Sequence, residues 1–398
     1  MDRRSFFAAG PGLAAFAGVA AAALARPAYA GSPAERIGPT VFDFGAVGDG
    51  HTDDSAAFSK ALQHAAANAV LVIVPAGRYA VANTIAFKSQ AHVGQGWGLL
   101  CQGATLVSHI EKPDADVMSL ASWHTVRYFK LIGSLSIVGN GRERHGLHIM
   151  ALGNDEGFYN FLVDGLSVER CGAHGGLLEG NVFECTISNS YFQDMRQNGF
   201  TLAQSHKGVI STVNVMNCFF NQNGLYGMAT TNFDEKYGGP TDVRVYGGYA
   251  RDNQGFGFYY NNGSAQASLV QVGFENNCRS RNPGDPEGAH VYGLGSMRMK
   301  DCAGYNQNGG ATYLLRGWCN ALTYLDGCTQ GADAAMKATG KSRLIQVNGQ
   351  RGAHVYLVAC SGGLDVVSGC GVTWEAKNCS GPSPQGALQV AGTVTGTA

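Results

Sequence analysis

The chain has 398 residues, of which 57 are glycine, 14% are charged and 45% are hydrophobic. Its 28 basic and 29 acidic residues give a formal net charge of −1, which argues against a nucleic-acid partner, because phosphate binding needs a basic excess. The hydrophobic content argues against disorder, and 11 prolines without a three-residue glycine period exclude collagen.

The first residues, MDRRSFFAAG, are followed by an alanine-rich apolar run ending at Arg26-Pro27-Ala28-Tyr29-Ala30. A charged start, a short apolar stretch and a small-x-small end predict a cleavable export signal over residues 1–30. Arg3-Arg4 before Ser5-Phe6-Phe7 resembles the twin-arginine signal, which exports folded proteins through its own machinery. Cleavage after Ala30 leaves a net charge of −3. No later segment is apolar enough to predict stable membrane insertion, so a periplasmic or extracellular protein is expected.

Residues 31–90 read as a cap and first coil. Val41–Phe44 alternates like a strand, and Thr52-Asp53-Asp54 offers N-caps for a helix running to about Ala67. Val70–Val81 reads as a buried strand, a Pro-x-Gly turn and a second strand. From about residue 130 a short theme recurs: a polar Asn/Gly turn, a glycine, then alternating residues. The marker glycines are Gly146, Gly175, Gly199, Gly227, Gly257, Gly288 and Gly310, 22–31 residues apart. Short strands at that period, without intervening helices, predict a stacked β-solenoid over residues 91–381, with residues 382–398 as a tail. The 11 cysteines contain no C-x-x-C pair and are odd in number. Stacked reduced thiols at recurring corners are therefore expected, with a disulfide among Cys360, Cys370 and Cys379 left open.

DFGAVGDGHTDD, followed by VPAGRYAV, resembles the opening of the pectate-lyase superfamily, which includes pectate lyase-like, polygalacturonase-like and rhamnogalacturonase/epimerase-like enzymes and some phage tailspikes. The resemblance implies an all-β, single-stranded right-handed parallel β-helix with an N-terminal capping helix. It also implies that Asp43, Asp49, Asp53 and Asp54 hold turns rather than perform chemistry.

Such a fold exposes a shallow face on which outward side chains of successive coils form rows. If the residue after each marker glycine points inward, the second and fourth point outward. That places His148/Met150, Leu177/Glu179, Thr201/Ala203, Ala229/Thr231, Tyr259/Asn261 and His290/Tyr292 on the face. His145, His174, Asn198 and Tyr226 flank it. Rows of tyrosine, histidine and amide suit sugar rings, so the expected partner is a polysaccharide or oligosaccharide.

Hydrolysis of a glycosidic bond needs two carboxyl groups, with Glu179, Glu287, Asp234, Glu235 and Asp285 as candidates. The polygalacturonase series Asn-Thr-Asp, Asp-Asp, Gly-His-Gly and Arg-Ile-Lys is absent along the coils, and His174-Gly175-Gly176 is a faint echo. Elimination at a uronate instead needs a cation on the carboxylate, a base for the C5 proton and an acid for the leaving oxygen. The residues assigned to catalysis are Glu179, Glu287, His290 and Tyr259. Those assigned to substrate are Arg316, His174, Tyr292, Asn198 and Asp234. Asp234-Glu235 would suit calcium, but two adjacent acids do not define a site and no metal is assigned. The sequence thus favours glycosidic-bond cleavage, with a lyase slightly ahead of a hydrolase or uronate epimerase. A non-catalytic glycan-binding or adhesion β-helix is the alternative of another class.

Overall fold

A computed structural model describes residues 38–89, 91–153, 156–205, 208–232, 240–279, 290–305, 310–316, 322–331, 342–347, 354–361, 364–366, 373–383, 386–389 and 393–397. The export signal therefore lies outside the described residues, as do Asp234, Glu235, Asp285, Glu287, Cys319 and Cys370.

The chain enters the fold through a tight turn. The Thr40 N–H and hydroxyl both donate to Asp43 Oδ2, at 2.7 and 3.0 Å, which closes Val41–Phe44 into a 3-10 helix rather than the expected strand. Local hydrogen bonds outweigh the alternating pattern here. The helix Ser55–Asn68 follows where the Thr-Asp-Asp run predicts it. It buries Ala57, Phe58, Ala61, Leu62 and Ala65, a stripe at spacings of one to four residues. Asp54 occupies its N-cap position, yet its carboxylate turns back to accept the Val47 and Gly48 N–H groups. Asp49 accepts the N–H groups of His51 and Thr52, and Asp53 accepts those of Ser55 and Ala82. The opening acids hold turns.

Beyond this cap the coils stack as a right-handed parallel β-helix. Among the described pairings every ladder is parallel until the C-terminal end. There Thr393–Thr397 runs antiparallel to Thr373–Lys377, covering an edge that would otherwise template further strands. Inward side chains form continuous rows such as Leu120, Ile149, Leu178 and Leu202, aligned by register and fully buried. Each such leucine or isoleucine contributes roughly 1.5–3 kcal/mol of burial free energy. No described helix is long and apolar enough to cross a membrane.

The marker glycines Gly146, Gly175, Gly199, Gly227 and Gly257 are explained by close approach, not by unusual dihedrals. A Cβ on Gly199 would lie 2.6 Å from the Gly227 carbonyl oxygen, and one on Gly227 would lie 2.5 Å from that of Gly257. The positive-φ corners fall largely to other residues, including Asn189, Asn217, Gln271 and Asp301. Beside the glycine row runs a buried amide ladder. Asn223 Nδ2 donates to Asn253 Oδ1 at 2.8 Å, and Asn253 Nδ2 donates to Asn277 Oδ1 at 2.7 Å. In the next coil His290 takes the rung of the marker glycine, since its carbonyl accepts the Phe258 N–H as the Gly257 carbonyl accepts that of Met228.

Cys302, Cys328, Cys360 and Cys379 occupy one corner of four successive coils, linked by Thr329 N–H to Cys302 O and Ser361 N–H to Cys328 O. Each thiol donates to the carbonyl two residues earlier, at 3.3–3.5 Å. All nine described cysteines are buried free thiols, Cys360 and Cys379 included.

Candidate active site

The front sheet contains Ile85–Ser89, Met118–Ser122, Leu147–Ala151, Gly176–Glu179, Phe200–Gln204 and Met228–Asn232. Its register aligns His148 with Leu177, Thr201, Ala229, Tyr259 and Tyr292 in one outward row, and Met150 with Glu179 and Ala203 in the next. His148, Leu177, Thr201, Ala203 and Ala229 are all buried, so this stretch of the face is covered rather than open as the sequence led one to expect. One polar cluster breaks it. Asp116 lies at the start of the coil before Leu147–Ala151, because the Val117 N–H bonds to His145 O and the Gly146 N–H to His174 O. Asp116, His145 and His174 are therefore successive rungs of the row that flanks the face.

Within the cluster His148 is held between two carboxylates. Its Nδ1 lies 2.9 Å from Asp116 Oδ2 and its Nε2 lies 3.1 Å from Glu179 Oε2. Arg144 donates from Nε and Nη2 to the two oxygens of Asp116, at 3.0 and 3.1 Å. The side chains of His148 and Asp116 are 2% and 5% exposed, Glu179 is 20% exposed and Arg144 is 41% exposed. The network thus reaches solvent through Glu179 on one side and Arg144 on the other.

Charge follows from these bonds. Burial alone would keep Asp116 protonated, but hydrogen bonds from His148 and Arg144 hold it down at about 2. Burial opposes a charged His148 as well, yet both carboxylates raise its pKa, so each ring nitrogen donates as an N–H. The hydrogen bond from His148, aided by Ser205 and opposed by burial, lowers the pKa of Glu179. Two cations and two anions then balance within one network. The flanking histidines behave oppositely. His145 Nδ1 accepts the His174 N–H at 3.2 Å, and His174 Nδ1 accepts the Asn198 N–H at 3.3 Å. Burial pushes His145 down to about 2. Burial, with the His148 and Arg144 charges, pushes His174 to about 4. The two rings stack at 4.9 Å, neutral, with their protons on Nε2.

Asp116, His145 and His148 bring potential metal-ligand atoms within 4.8 Å of one another. The donor set does not fit a cation, because both Asp116 oxygens face a guanidinium and both His148 nitrogens face carboxylates. The cluster is an ion-pair network.

A sequence profile described as "Rhamnogalacturonase A/epimerase, pectate lyase-like" matches residues 40–107. The A-module of the mannuronan C-5 epimerase AlgE4 from Azotobacter vinelandii superposes with a TM-score of 0.51 at 17% identity, over 83% of this chain and 95% of that one. By its fold the chain is a right-handed parallel β-helix, and its residues 40–107 resemble the pectate-lyase-like profile. ORF18 of Geobacillus virus E2 gives 0.53 at 17% identity, over 86% of this β-helix and 60% of the viral chain. The catalytic unit of the GH87 α-1,3-glucanase from Streptomyces thermodiastaticus strain HF3-3 gives 0.52 at 14%, over 88% and 69%. No curated protein sequence matches.

The β-helix brings together three of the residues assigned from sequence: Glu179, His174 and Asn198, the last bonding Thr201 of the outward row. Tyr259 lies three rungs beyond Leu177, roughly 14 Å along the axis, and Tyr292 one rung further. Their rings stack at 4.8 Å, and Tyr226 stacks on Tyr259 at 4.5 Å, so neighbouring rings cover much of their faces. His290 does not face outward. It is fully buried, its Nδ1 caps the amide ladder 3.1 Å from Asn277 Nδ2, and burial pushes it down to about 3. The marker-glycine rule misplaces it because His290 itself takes the glycine's rung, two residues beyond Gly288. Arg316 ends a strand opposite Leu294, and its side chain lies outside the described residues, as do Glu287 and Asp234.

Asp116, Arg144 and the central role of His148 are absent from the sequence assignment. The signal was present: 29 residues separate Gly146 from Gly175, and the same step back reaches Val117, preceded by Asp116. The missing glycine hid that coil.

Proposed function

We propose that this β-helix is a carbohydrate-active enzyme that removes the C5 proton of a uronate in an anionic polysaccharide, with β-elimination as its outcome. The observation that carries the reading is the Asp116–His148–Glu179–Arg144 network, which keeps a partly buried ionised carboxylate and a half-exposed guanidinium in one cluster that reaches solvent at both ends. Arg144 spends Nε and Nη2 on Asp116, leaving its Nη1 edge for the substrate carboxylate, whose charge opposes loss of the C5 proton. Glu179 accepts that proton. The C5–H electron pair forms the C4=C5 bond as the C4–O bond breaks, and the leaving oxygen takes a proton from water. The Nε2–H of neutral His174 is a donor for a sugar oxygen at the flank. Read as an export signal, the first thirty residues support an activity outside the cytoplasm.

Hydrolysis is less well supported. It requires two available carboxyl groups, and both oxygens of Asp116 are already engaged. The named activity of the AlgE4 module, C-5 epimerisation of mannuronan, involves the same carbon and supports the proton-removal step. The mutual satisfaction of all four charges also favours a second reading, a non-catalytic glycan-binding β-helix.

Mature protein incubated with alginate, polygalacturonate, hyaluronan and α-1,3-glucan, followed by absorbance at 235 nm, reducing ends and NMR of the sugar C5 protons, tests the proposal. Absorbance and reducing ends rising together support elimination. Reducing ends alone indicate hydrolysis, C5 inversion alone indicates epimerisation, and binding without turnover leaves the second reading.

A further inference from the structure

Next to the cluster, on the same corner of the β-helix, is a cavity of about 220 Å³ lined by Ala82, Asn83, Thr84, His109, Ile110, Glu111, Lys112 and Ala115. Strand pairing of Ile85 with Met118 puts Asn83 one rung before Asp116, and the Ala115 carbonyl accepts the Arg144 N–H at 2.7 Å. The cavity therefore continues the flanking row by one coil, a step of roughly 4.8 Å, toward the N-terminus.

We propose that this cavity is a subsite for a single acidic sugar residue of the chain whose neighbouring unit lies over Glu179. The inference rests on an anionic polysaccharide being the substrate. Size is the first argument. At about 30 Å³ per water the space holds roughly seven waters, below the 300–1,000 Å³ of pockets for larger ligands, which matches one pyranose ring. Chemistry is the second. Asn83, whose Nδ2 also donates to Asp53 Oδ2, and Thr84 bring an amide and a hydroxyl to the lining, where His109 and Lys112 are exposed. The Lys112 ammonium enters none of the ion pairs among the described residues, whereas the Glu111 carboxylate is already 3.4 Å from Arg142. Lys112 is thus the lining cation outside the described ion pairs, while the nearby Asp53 carboxylate is held by the Ala82 N–H and Asn83 Nδ2. Arg144, one coil on, lies along the same line with its charge already shared with Asp116.

The test is binding, read without turnover. Trimannuronate, trigalacturonate and neutral maltotriose are titrated by calorimetry into wild-type protein and into Lys112→Met, an exposed position whose replacement leaves the core untouched. The expected result is a preference for an acidic trisaccharide over maltotriose, weakened about tenfold in Lys112→Met, with amide shifts at residues 82–84 and 109–112. Equal binding of maltotriose, unchanged affinity in Lys112→Met, or no binding of any trisaccharide overturns the subsite. Turnover of polyuronate by wild type and by Glu179→Gln is measured separately. A protein that binds acidic trisaccharides through Lys112 but eliminates nothing keeps the subsite and loses the proposed reaction.

Discussion

His148 and Glu179 meet across a single rung of the front sheet, Nε2 to Oε2 at 3.1 Å, while the other nitrogen of the same ring bonds Asp116. Leu177, two residues before Glu179, is the in-register partner of His148. The carboxylate thus reaches diagonally over its own coil. That contact keeps the partly buried Glu179 ionised, the state a proton acceptor needs.

Replacing Glu179 by Gln removes the acceptor while preserving shape and a hydrogen-bond acceptor for His148. Turnover of the responsive polyuronate is expected to fall by about 10²–10⁴-fold, with the far-UV circular dichroism close to wild type and a lower melting temperature, because buried His148 loses one of its two carboxylates. An active Glu179→Gln protein would place the base elsewhere.

Asp116→Asn acts on stability as well as function. The substitution leaves Arg144 and a charged His148 without their shared buried partner, and breaking such a pair typically costs about 3–5 kcal/mol. The Arg144 end is partly solvated, so the lower part of that range is expected in urea denaturation. The pKa of His148 should fall, since its principal raising partner is gone, and 15N NMR of the imidazole would read the change directly.

Much of the fold was legible because stacking repeats itself: the period of the marker glycines, the cap helix after Thr52-Asp53-Asp54 and the outward row through Tyr259 all appear in the strand register. The site was legible only where the period was regular. His174 and Asn198 immediately precede their marker glycines and Glu179 lies four residues after its own, whereas Asp116 precedes a valine and His290 has taken a glycine's rung. Nor does sequence distinguish a histidine between two carboxylates from one stacked and neutral. His145 and His148 are three residues apart, and only the rungs above and below them set their opposite charges.

Those neutral histidines predict acid sensitivity. For His145, His174 and His290 the folded-state pKa lies below the ordinary value of 6.5, at about 2, 4 and 3. The unfolded chain binds protons at these positions as pH falls below 6.5 and the folded chain does not, so their stabilisation is complete above 6.5 and is lost progressively toward 4 and below. His148 has the opposite sign. Its raised pKa adds stability at low pH that is lost as pH rises through the folded value. Three depressed groups outweigh one raised group, and denaturation midpoints between pH 7 and pH 4 should fall. His290→Asn, which retains a rung for the amide ladder without a titrating ring, should flatten part of that slope.

The amide ladder offers a last test, one that separates stacking from simple burial. Asn253 is fully buried, donates to Asn277 Oδ1 and Phe220 O, and accepts from Asn223. Asn253→Ala removes one side chain but strands partners in two neighbouring coils, each at about 1–3 kcal/mol. Asn253→Asp keeps the acceptor for Asn223 and loses the donors, placing a carboxylate opposite the Asn277 Oδ1. If the ladder couples coils, urea midpoints should rank wild type above both variants, and hydrogen exchange should accelerate at residues 195, 223 and 277 as well as at 253. Exchange that quickens only around residue 253 would mean that each coil is held by its own core rows, with the amides merely filling the corner.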